Sequence, residues 1–167
     1  TTLDASNYVG IFGYGNVSMG AEKGNSVFYL NSSTRICHIT DGTSNTICVG
    51  ARMHKHDDVP ALTTVDSKST WYAAIPGTPR PAGMAMMVEQ APSLVLGHVG
   101  QDAMGIMAAM HQTPHQTKHI VNFSRNHTGG VHFLLCDSPV HFMSESIDYD
   151  TFRNPGKRSA ESVVAGW

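Results

Sequence analysis

The sequence predicts an α+β fold that is rich in β-structure, with helix limited to short turns. Three observations carry this expectation. Residues 122–143 read as a short strand, a Gly-Gly turn and then two strands joined by a tight reversal. Glycines and prolines cut most of the remaining chain into pieces too short for long helices. The apolar runs between those breaks are brief and rich in β-branched and aromatic residues, as in Val27-Phe28-Tyr29 and Ile47-Cys48-Val49.

A chain of 167 residues suits one domain spanning 1–167 and can bury a sizeable core. Charged residues make up 14%, well under the roughly 25% usual in soluble proteins. Ser, Thr, Asn, Gly and His must then cover much of the surface, a pattern common in extracellular and assembled proteins. With a net charge of -2 and Lys157-Arg158 as the only adjacent basic pair, the chain lacks a basic stripe for nucleic acid. No apolar run reaches the ~18–20 residues that cross a bilayer, so no membrane span is expected in this chain. The chain opens at Thr1 without an initiator Met, as a processed or trimmed chain would.

Taken in order, residues 7–24 form a loop-rich lead-in anchored by Tyr8, Phe12 and Tyr14, since glycines at 10, 13, 15 and 20 forbid a regular helix. Residues 26–30 are a strand candidate. Residues 35–40 form one helical turn or a strand end. Asp41-Gly42 signals a turn, and the short polar side chains of DGTSNT (41–46) predict a rigid, self-bonded corner rather than a ligand loop. Residues 47–49 follow as a buried strand. Residues 53–69 are polar and irregular, 69–75 a strand, and the prolines of 76–83 enforce an extended loop. Residues 84–119 are a His- and Met-rich insertion, holding six of the nine Met and four of the ten His. Its best helix candidate is 102–112. His111, His115 and His119 have helical spacing, but Pro114 interrupts the face. Residues 120–123 read as a strand, 126–130 as a turn, 131–136 and 140–144 as strands. A helical turn capped by Asp148 follows. Asn154-Pro155-Gly156 breaks the chain, and Val163-Val164 is a candidate edge strand.

A two-residue loop at Ser138-Pro139 would pair Cys136 with His141, Leu135 with Phe142 and Leu134 with Met143. Val131, Phe133, Leu135, Val140 and Phe142 would then share the core face. His132, Leu134, Cys136, His141 and Met143 would share the other. Pro139 cannot adopt the positive φ of a type I′ turn, and a longer loop would break the Cys136–His141 opposition.

Three sets of side chains suggest metal ligands: His54, His56 and Asp57 in MHKHDD, His127 with Asp137, and Cys136 with His141. They suit a divalent or soft metal ion. Met84, Met86 and Met87 offer soft thioethers, or adaptable apolar packing. The three cysteines, Cys37, Cys48 and Cys136, allow at most one intrachain disulfide, with Cys37–Cys48 the nearest pair in sequence. No GxSxG, HExxH or P-loop occurs, so no catalytic residue is assigned and an enzyme is not expected.

Asn7-Tyr8-Val9-Gly10, RICHITDGTSNTICVGA at 35–51 and SRNHTGGVHFLLCDSPVHFMSESID at 124–148 carry a family resemblance. They resemble the motifs of pilin-type proteins abundant in planctomycetes, whose C-terminal signature is a His, nine residues and then Asp-Gly. The resemblance covers most of the chain and is weakest in the insertion. It implies the head of a pilin or pseudopilin, an antiparallel sheet that in the family packs against a long N-terminal helix absent from this chain. The chain departs from the pattern at Asp137-Ser138-Pro139, at His38 where the family has Asp, and at Ala51 where it has Glu. The resemblance implies a structural protein of the cell envelope, periplasmic or extracellular, that assembles with other protein chains as a homo- or hetero-oligomer. A metal- or small-ligand-binding module is the alternative.

Overall fold

A computed structural model of the chain describes residues 5–15, 17, 24–57, 64–66, 69, 95–100, 114 and 121–160. Five strands make the main sheet: β1 (Tyr8–Gly13), β2 (Ile47–Ala51), β5 (Leu96–His98), β6 (Gly130–Leu135) and β7 (Val140–Ser144), in the order β5-β1-β2-β6-β7. β3 (Lys55–Asp57) and β4 (Thr64–Asp66) form a separate antiparallel pair. One short helix, α1 (Tyr149–Arg153), follows β7. The fold is therefore α+β and β-rich, the class the sequence predicts. The β1–β2, β2–β6 and β6–β7 pairs are antiparallel, whereas β5 lies parallel to β1, so the sheet is mixed.

Several local expectations change. Residues 8–13, expected as loop, form an inner strand. Gly10 is tolerated there because the Phe28 ring lies where its side chain would be, 2.8 Å from an ideal Cβ. Residues 26–30, expected as a strand, form no ladder; Ser26 and Phe28 donate N–H bonds to the β1 carbonyls of Phe12 and Ile11 (both 3.2 Å). Residues 121–123 form a turn and an irregular run instead of a strand. Part of 53–69 is ordered as β3 and β4, and β5 arises inside the predicted insertion. The alternative for 35–40 resolves as a 3-10 turn at Ile36–His38. The helix expected at 102–112, the loop at 76–83, the strand at 69–75 beyond Ser69 and Val163-Val164 lie outside the described residues. So do Met84, Met86, Met87, His111, His115 and His119.

The main core lies on one face of the sheet. Val9, Ile11, Ile47, Val131, Phe133, Leu135 and Met143 meet Val99, Phe123 and Phe152 there. Phe123 and Phe133 pack edge-on with centroids 5.0 Å apart. The Phe123 ring can reach the sheet because glycines lie beneath it. A Cβ on Gly50 would sit 2.4 Å from the ring, and one on Gly97 2.8 Å. A smaller cluster of Phe12, Val17 and Val121, with Tyr29 and Leu96 against it, makes a second core. Arg52, 1% exposed, donates to the Leu96 carbonyl at 2.6 Å and so ties the end of β2 to β5.

α1 forms where the sequence places a cap. The Asp148 carboxylate accepts from the Thr151 N–H and hydroxyl, both at 3.0 Å, and Phe152 drops into the core beside Phe133. Among the described residues no helix is long and apolar enough to cross a membrane.

Candidate functional site

The β6–β7 hairpin and its surroundings hold most of the side chains the sequence singles out. Gly129 and Gly130 lead into β6 with φ of 104° and 149°, and a Cβ on Gly130 would collide with the Met143 carbonyl at 2.0 Å. At the other end the Leu135 N–H donates to the Pro139 carbonyl (2.9 Å) and the Ser138 N–H to the Leu135 carbonyl (3.1 Å). Cys136, Asp137 and Ser138 thus make a three-residue loop whose last member has φ 88°. Pro139 fits because the Leu135 carbonyl is already taken by Ser138, so the N–H that proline lacks is not needed.

This loop sets a register different from the expected one. Leu134 lies opposite Val140 rather than Met143, and Phe133 opposite His141. The shift is odd, so every β7 side chain changes face. Met143 enters the core, and Val140 and Phe142 point outward, at 62% and 54% exposure. The outward face also carries His132, whose ring meets Phe142 edge-on at 5.1 Å. The Arg125 guanidinium can only donate, so the His132 Nδ1 it contacts is an acceptor. The expected opposition of Cys136 and His141 is absent, because Cys136 sits in the loop and His141 faces Phe133.

The residues of the His-nine-Asp spacing are also separated. His127 is exposed in the turn before β6 and Asp137 is exposed at the hairpin tip, with the full strand between them. At about 3.3 Å per residue, a strand of that length holds them roughly 20 Å apart or more. His54 lies in the bend after β2, half-buried, and His56 in β3 opposite Val65. Among the described residues no three His, Cys, Asp or Glu side chains converge to hold a metal ion.

The DGTSNT corner behaves as its side chains predict. The Asn45 side-chain amide donates to the Asp41 carbonyl (3.0 Å) and the Thr46 hydroxyl to the Gly42 carbonyl (3.1 Å). The corner also grips the C-terminal segment. The Thr40 N–H donates to the Arg158 carbonyl at 3.0 Å, and the Asp41 carboxylate accepts from the Ala160 N–H.

Next to this corner the sheet brings together two cysteines that sequence proximity did not pair. The Cys136 N–H donates to the Thr46 carbonyl (2.9 Å). Ile47 pairs with Leu135 and Val49 with Leu134, which leaves Cys48 as the extra residue of a bulge. The two half-buried residues come together beside the bulge, and hydrogen bonding between their thiols is the largest influence on the acidity of each. That bond holds Cys48 below the ordinary thiol range against the opposing effect of burial. It holds Cys136 far above that range, with burial and the negative charges of Cys48 and Asp137 adding to it. Cys37, the cysteine nearest to Cys48 in sequence, is exposed on its 3-10 turn.

His98 was not singled out by the sequence. It is buried, donating from Nδ1 to the Gly15 carbonyl (2.8 Å), with Nε2 3.1 Å from Asn122 Oδ1. It joins the end of β1, β5 and the segment before β6. Nothing in its sequence neighbourhood marks it, because its partners come from distant parts of the chain.

No curated protein and no solved structure matches the chain. The model of a family described as protein of unknown function (DUF1559) matches residues 3–150, nearly the whole chain, and the protein belongs to that family.

Proposed function

We propose that this chain is a structural, assembly-forming protein, a pilin- or pseudopilin-like head in the cell envelope or in an extracellular filament. The observation that carries the reading is the end of the sheet formed by the described residues. β7 is the terminal strand in the order, and it turns Val140 and Phe142 outward at 62% and 54% exposure. An edge strand with exposed apolar side chains is a template for pairing with another chain. A charged fraction of 14% suits such a surface, because few charges would need to be desolvated on contact. The partner is another protein chain, of this kind or a related one. The reading assigns the chain no catalytic chemistry. The alternative, a metal- or ligand-binding module, gains no support from the described residues.

Electron microscopy and cross-linking of native material test the proposal. A polymer or envelope complex with cross-links at β7 is expected, and Phe142→Glu should disperse it without lowering the melting temperature of the chain. A strictly monomeric cytosolic protein would overturn the reading.

A further inference from the structure

We propose that Cys48 and Cys136 form a redox-modification site: a disulfide-bearing oxidant converts the two thiols into an intrachain disulfide that fastens the hairpin tip to β2. The inference goes beyond the assembly reading and stands on the geometry of the chain itself.

Three features place the pair. The Cys136 N–H bond to the Thr46 carbonyl (2.9 Å) carries the β2–β6 contact past Ile47 and Leu135 to the hairpin loop. The bulge at Cys48 adds a residue on the β2 side only, so that side chain is re-aimed rather than fixed by the ladder. Strand pairing sets Cys136 beside Thr46 and brings Cys48, two residues further along β2, next to it, and both residues are partly open to solvent, so a small oxidant can approach. A disulfide then needs only side-chain rotation and a modest approach of two segments that end in a loop and a bulge.

The chemistry assigns different roles to the two thiols. Cys48, whose thiolate is stabilised by the bond from Cys136, attacks one sulfur of the oxidant. The oxidant S–S bond breaks, its first thiolate leaves and takes a proton, and Cys48 is held in a mixed disulfide. Cys48 then carries no negative charge, so two of the causes that kept the proton on Cys136 vanish. Cys136 loses that proton and attacks the Cys48 sulfur. The mixed disulfide breaks, and the second oxidant thiol leaves with the proton. Two protein thiols are oxidised, one oxidant disulfide is reduced to two thiols, and all atoms are accounted for.

The test treats the folded chain with oxidised glutathione and maps the peptides without reduction. A Cys48–Cys136 cross-link is expected in the wild type and in Cys37→Ser. A rise in melting temperature on the order of 10 °C should accompany it, since the bond closes a long loop. Cys136→Ala should instead stop at a mixed glutathione disulfide on Cys48. Its circular dichroism would confirm that it is folded. In the untreated wild type, iodoacetamide should label Cys48 several-fold faster than Cys136. A Cys37–Cys48 cross-link, or a folded wild type in which neither Cys48 nor Cys136 reacts, would overturn the proposal.

Discussion

Ser138 shows how one residue can bear a conformation better suited to another. Its φ of 88° lies in the region that costs an L-residue about 1–2 kcal/mol. The last residue of the three-residue turn must be left-handed, a conformation that glycine adopts without a side-chain penalty. Ser138→Gly is therefore expected to stabilise the chain by about 0.5–1 kcal/mol, after the greater freedom of glycine in the unfolded chain is deducted. The urea midpoint should rise at constant slope; a fall would mean that the serine side chain makes a compensating bond. Asp148 makes a pH-dependent contribution. The Thr151 N–H and hydroxyl hold its carboxyl below the ordinary 3.8. A depressed folded value stabilises the fold above the unfolded value, and the gain is lost as pH falls through the folded one. Asp148→Ala should thus melt earlier than the wild type at neutral pH, and thermal scans should converge in acid, well below pH 3.8. An unchanged gap at low pH would assign the effect to helix propensity instead of the cap.

At the scale of elements, the hairpin register makes a sharp distinction between neighbours. Met143 is 2% exposed in the core, while Phe142 beside it is half in solvent. Met143→Ala should cost about 2–5 kcal/mol, and Phe142→Ser under about 1 kcal/mol. The register expected from a two-residue loop would reverse that ranking, so equilibrium denaturation of the two variants decides between them. β6 was legible because a Gly-Gly turn opens a short run rich in Val, Phe and Leu, and both are local signals. β7 was legible as a strand over 140–144 but not in its facing, because Val140, Phe142 and Met143 are all apolar and only the loop length sets which of them faces inward. β1 was hidden for a different reason. Its glycines look like breaks in sequence, yet Gly10 seats the Phe28 ring and Gly13 makes room for Asn25 and Ser26. The thiol pair shares this character. Cys48 and Cys136 meet only because β2 pairs with β6, and no local pattern announces that pairing.

For the whole molecule, the sequence motifs map to joints. The ITDGTSNT segment turns the chain into β2 and bonds itself at the corner, and the two glycines after His127 start β6. These are architectural tasks, which is why the motifs were readable as structure but not as chemistry. The sheet is also assembled out of order. β1 and β2 come from the first third of the chain, β6 and β7 from the last, and β6 is the neighbour of β2. Such non-local pairing slows folding, since long loops must close before contacts reward them. The grip of the 40–41 corner on Arg158 and Ala160, which lie 118 and 119 residues further along, adds a temporal consequence. During synthesis the corner can form its own turn early, but its last partners leave the ribosome more than a hundred residues later. The edge of β2 that will receive β6 likewise stays bare until residues 130–135 have been made, and a nascent chain before that stage is open to capture by a chaperone or by a neighbouring chain.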